Sequence, residues 1–80
     1  MELAEYLTRM FNQDGVTRDL FQAIRTSQMA AASDELDTCE YHIAVNRAAR
    51  TAVEFHGLEE HGYRVVDVIK TAERLIGQAA

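Results

Sequence analysis

The side chains best able to bind a metal or attack an electrophile are gathered in one stretch. Cys39-x2-His42-x13-His56-x4-His61 contains the single cysteine and all three histidines of the chain. A thiolate and imidazoles at such intervals are the ligand types of a structural zinc site. By residue type, Cys39 and His42 also supply the nucleophile and base of a thiol enzyme.

Both readings meet the same obstacle, because the intervening residues read as helix. AVNRAARTAV contains neither glycine nor proline to break one. Over an unbroken helix His42 and His56 stand roughly 21 Å apart at about 1.5 Å rise per residue. Zinc holds its ligands within about 2.0–2.3 Å, so the four residues cannot share an ion. What remains are two half-sites, Cys39 with His42 at i, i+3 and His56 with His61 across Gly57.

The expectation is therefore structural. Cys39 is read as a small, partly buried hydrophobe. His42 and His56 are read as core-edge imidazoles with one nitrogen partnered, and His61 as solvated in the polar LEEHG turn. Phosphate loops, GxSxG and HExxH are missing from the sequence, and the chain is expected to be non-catalytic, with no metal and no cofactor. A small helical bundle also offers little room for a substrate pocket.

Two charged surfaces are the better candidates for contact. Asp34, Glu35, Asp37 and Glu40 crowd into one short run. Its spacing lacks the alternating ligands and central glycine of a calcium loop. It reads as a negative stripe at a helix start, where the dipole favours acids and a basic partner could dock. The second surface is Arg18, Gln22, Arg25 and Met29, which recur at helical spacing opposite an apolar stripe.

A nucleic-acid reading competes for that second surface. LTRMFNQDGVTRDLFQAIRT has the outline of a helix-turn-helix, with residues 17–26 as the recognition element. Thr17, Arg18, Gln22, Arg25 and Thr26 would face a groove. Bulky Met10 and Phe11 sit where the first helix usually carries a small residue, Asp19 would face phosphates, and the net charge is −5. Phosphate neutralisation needs a basic surface, so protein binding is the preferred reading and DNA binding the alternative.

The elements that must position these residues are helical throughout. The chain has 80 residues, no proline and 48% hydrophobic residues, a composition that favours helix in an ordinary globular domain. Segment one, over 2–12, sets Leu3, Leu7, Met10 and Phe11 on one face, and Asp14-Gly15 stops it. Segment two begins at Thr17 as N-cap and carries Leu20, Phe21, Ile24 and Ala31 inward. Segment three, over about 34–56, takes Ser33 as N-cap and Gly57 as C-cap, although segment two could flow into it unbroken. Its broad apolar face is Tyr41, Val45, Ala48, Ala49, Ala52, Val53 and Phe55, while Leu36, Cys39 and Ile43 lie nearly opposite. Segment four, over about 63–76, aligns Val65, Val68, Ile69, Ala72 and Ile76 and ends at Gly77.

The sequence thus predicts an all-α fold: a single compact bundle of three to four helices with a long central helix over about 34–56. A domain this small buries only roughly 60–65% of its unfolded surface, so pairing with a second copy is expected to add stability. The two-sided segment three is the expected seat of that homodimer. The N-terminus lacks a signal peptide's pattern and no apolar run approaches ~20 residues, which points to a cytoplasmic protein without a membrane span. The expected function is macromolecular binding, as a regulator, adaptor or stoichiometric inhibitor of a protein partner. Phage-encoded inhibitors share this small, acidic composition. No small-molecule substrate is expected.

Overall fold

The computed structural model describes residues 2–33 and 38–79. They form four α-helices and one short 3₁₀ turn: α1 Leu3–Phe11, α2 Gly15–Ala32, α3 Cys39–His56, the turn Leu58–His61, and α4 Val65–Ala79. α2 packs most extensively on α3, α4 lies against both, and α1 covers the seam between α2 and α4.

Each boundary has a local cause. The Asp14 side chain accepts the Thr17 N–H at 2.7 Å, so Asp14 caps α2 and Gly15 and Val16 become its first residues. An aspartate at that position satisfies an orphan amide that Thr17, already inside the helix, cannot. The expected Thr17 cap is thereby corrected. α2 ends at Ala32 with Ser33 at its C-cap, where the Ser33 hydroxyl donates to the Met29 carbonyl at 3.0 Å. Ser33 therefore closes α2 and does not open α3.

α3 starts at Cys39, with Thr38 at the N-cap, and not near residue 34. The long central helix expected is therefore present with a later start, and α2 equals it in length, 18 residues each. Asp34, Glu35, Leu36 and Asp37 lie outside the described residues. Gly57 ends α3 at φ 61° and Gly62 ends the 3₁₀ turn at φ 85°, a left-handed backbone that only glycine adopts at little cost. At α4 the Asp67 carboxylate accepts the Arg64 N–H at 2.9 Å, half of a capping box. Gly77 does not stop α4, which continues to Ala79; its φ is not positive, so it lacks the turn a C-cap glycine makes.

The core runs through every element. Leu3 and Leu7 of α1 meet Leu20, Phe21 and Ile24 of α2, Val45, Ala49, Ala52 and Val53 of α3, Leu58, and Val68 and Ala72 of α4. Leu7, Leu20, Leu58 and Val68 are fully buried, and burial of such side chains stabilises by about 1.5–3 kcal/mol each. On α2, Ala30 is buried and Ala31 exposed, one position off the expected stripe.

On α3, the expected inward face holds for Val45, Ala49, Ala52 and Val53, with Tyr41 and Ala48 half-buried. Phe55 does not follow it and is 64% exposed. The opposite side faces solvent: Cys39 is exposed and Ile43 is 51% exposed. Cys39 is thus not the partly buried hydrophobe expected from its type. Ala49 and Ala52 are fully buried inside the chain's own bundle. They are therefore not positions through which a second copy could pack.

Candidate functional site

The histidines separate into three unrelated environments. His42 is exposed on α3, where it borders an open depression with Cys39, Ile43 and Arg47. It is not the core-edge residue expected. His61 is exposed at the end of the 3₁₀ turn, as a solvated histidine should be. His56, at the C-terminal end of α3, is drawn inward until its side chain is only 6% exposed. α3 is continuous from Cys39 to His56, so His42 and His56 stand a whole helix apart.

Both nitrogens of His56 are engaged. Nδ1 lies 2.9 Å from the Tyr6 hydroxyl of α1. Nε2 lies 3.2 Å from the Thr17 hydroxyl and 3.2 Å from the Asp14 carboxylate. A carboxylate can only accept, so Nε2 carries the proton and Nδ1 accepts from the Tyr6 hydroxyl. In the imidazolium the Tyr6 oxygen accepts instead, and the same geometry holds. Neither nitrogen has a lone pair left for a metal shared with His61.

Asp14 is the centre of charge in this cluster. Its carboxylate takes the Thr17 N–H on one oxygen and faces His56 on the other, and its side chain is 18% exposed. Burial works to raise its pKa. The backbone and hydroxyl hydrogen bonds from Thr17, with His56 and Arg18 nearby, outweigh that and hold the carboxyl below its usual range. Thr17 is fully buried, and the cluster accounts for both its amide and its hydroxyl.

Carboxylate, imidazole and phenol in series are the parts of a proton relay. Their surroundings favour another role. The Tyr6 ring meets His56 edge-on at 5.3 Å, and the Arg9 guanidinium sits 5.7 Å from its centre. The larger surface depressions lie elsewhere, along the outward side of α3 and between α1, α2 and α4. The cluster joins α1, the start of α2 and the end of α3, with Tyr6–His56 as the link from α1 to α3. It acts as a clamp across three helices.

The second candidate site is exposed. Arg18, Gln22, Arg25 and Met29 all face solvent along α2, and Met29 is 71% exposed. These four form the single outward stripe that their spacing implied. Thr17 does not join them. It was expected to face a nucleic-acid groove, but its hydrogen bonds to Asp14 and His56 turn it into the core. Of the acidic run, Glu40 is exposed in the first turn of α3.

Sequence reading identified the stripe and missed the clamp. Tyr6 and Asp14 were not singled out, because their partner lies 50 and 42 residues away in sequence. The local signal that was available is Asp14-Gly15-Val16-Thr17, the pattern of an aspartate N-cap. Among the described residues no cluster of three or more His, Cys, Asp or Glu could hold a metal ion, and no helix is long and apolar enough to cross a membrane. No family model matches the chain, and comparison with curated proteins and with solved structures gives no match.

Proposed function

We propose that the protein is a non-catalytic binding module, a regulator, adaptor or stoichiometric inhibitor, that engages a protein partner through the outward stripe of α2. The observation that carries this reading is the exposed array of Arg18, Gln22, Arg25 and Met29 on a helix whose opposite face is locked into the core. Arginine and methionine are enriched at protein interfaces, and arginine is frequent among the residues that dominate binding energy. Among the described residues neither Arg18 nor Arg25 is held in an ion pair. The complementary partner surface carries carboxylates with an apolar residue opposite Met29. Asp34, Glu35, Asp37 and Glu40, which follow α2 in the chain, offer a second, opposite-signed contact.

The test compares capture by the tagged wild-type protein with capture by an Arg25→Glu, Met29→Glu variant of equal helicity. A specific protein retained by wild type after nuclease treatment, and lost from the variant, supports the reading. Equal retention by both would remove the stripe from the interface. Enrichment of sequence-related DNA that requires Arg18 and Arg25 would favour a nucleic-acid function instead. The burial of Thr17 weighs against that outcome, since it takes the first residue of the recognition element out of reach.

A further inference from the structure

Between α1, α2 and α4 the bundle leaves an open groove of about 520 Å³. Phe21, 8% exposed, forms its floor, and Phe11 stands over it with the ring centres 5.1 Å apart. Leu75 and Ile76 of α4, both half-buried, form the facing wall. A concave apolar site with a few polar groups at its edge is the usual form of a small-molecule pocket.

The rim is asymmetric in its hydrogen-bonding capacity. Thr8 donates its hydroxyl to the Ala4 carbonyl at 2.8 Å, and the Asn12 amide donates to the Thr8 carbonyl at 3.2 Å. Each spends one donor on its own helix. Arg25 and Gln78 spend none there, and no carboxylate lines the groove among the described residues. Among the described residues, the one charged group that lines this apolar surface is therefore an unpaired guanidinium.

We propose that the groove binds a small amphipathic monocarboxylate of the medium-chain fatty acid class. The alkyl chain lies against Phe11, Phe21, Leu75 and Ile76, and the carboxylate meets Arg25, whose planar fork suits a carboxylate. The charge of the whole chain, −5, would draw in a cationic amphiphile and repel an anionic one. Local and global electrostatics therefore favour opposite ligands, and that makes the assignment decisive to test. A bundle this small is expected to offer little room for a substrate pocket, and this groove is open to solvent. Arg25 also belongs to the stripe proposed to meet a partner, but the test uses no partner, so the two readings fail separately.

The experiment is an NMR titration of the full chain with sodium octanoate, octanol and octyltrimethylammonium. Octanoate should give saturable shifts centred on Phe11, Phe21, Leu75 and Ile76, with affinity about fivefold above octanol, the scale of an exposed charge contact. Arg25→Gln should abolish that preference while octanol still binds. Shifts that fail to saturate, or that centre elsewhere, would overturn the assignment. So would an ammonium that binds as tightly as octanoate, or a preference that survives Arg25→Gln.

Discussion

Asp14 and Arg25 sit on the same helix unit, one capping α2 and the other on its outward face, and they meet opposite fates. Asp14 is surrounded by donors from Thr17 and His56 and is largely enclosed. Arg25 faces solvent with five donors and no acid beside it among the described residues. The clamp uses its polar atoms internally, and the stripe leaves its own available. A polar cluster that satisfies itself has little left with which to recognise anything, whereas an unsatisfied exposed array has all of its capacity for a partner. By type alone the clamp, with its carboxylate, imidazole and phenol, would have looked the more functional of the two.

The largest expected effect comes from the core that separates these regions. Ala49→Glu places a carboxylate among fully buried apolar groups and should cost roughly 4 kcal/mol or more. Such a loss consumes most of the stability of a domain this size, on the order of 4–12 kcal/mol. Loss of the folded far-UV signal, not mere loss of a dimer, is the expected reading. A folded, monomeric Ala49→Glu would return this helix face to the role of a subunit interface.

Next comes the clamp. His56→Ala strands Asp14, Thr17 and Tyr6 without their shared partner and should destabilise by about 2–4 kcal/mol in urea unfolding. Tyr6→Phe and Thr17→Val should each cost about 1 kcal/mol. Their sum should differ from the double variant, because both act through one imidazole. Strict additivity would mean that the two hydrogen bonds are independent and that the clamp is no unit.

The pH dependence follows from Asp14. Its folded pKa is depressed, so the ionised form is favoured in the native state. The stabilisation is complete above the unfolded value of about 3.9 and is lost as pH falls through the lower folded value. Asp14→Asn retains an N-cap acceptor and should flatten this acid limb without unfolding the protein at neutral pH. An unchanged acid limb in the Asn variant would assign it to other carboxylates. The smallest effects belong to the stripe, where Arg18→Glu, Arg25→Glu and Met29→Glu should each move stability by no more than about 0.5 kcal/mol.

The sequence revealed what depends on near neighbours. Helical spacing located all four helices, the Gly57 stop and the α2 stripe, because each is decided within a turn or two of chain. Competition between close candidates was harder to read. Asp14 outcompeted Thr17 for the cap, and Ser33 proved to close one helix without opening the next. Contacts across the bundle were not legible at all. Nothing around His56 in sequence indicates that Tyr6 and Asp14 will meet it, and Phe55 is turned outward although its spacing sets it beside the buried face. Leu58 was missed for a related reason, since a lone leucine in a polar turn carries no periodic signal.

The most direct test measures partner capture by two folded variants beside wild type: Tyr6→Phe from the clamp, and Arg25→Glu, Met29→Glu from the stripe. The clamp variant should melt earlier and still capture the partner. The stripe variant should melt like wild type and capture nothing. A folded Tyr6→Phe that loses the partner, or a stripe variant that keeps it, would contradict the division between an internal clamp and an external contact surface.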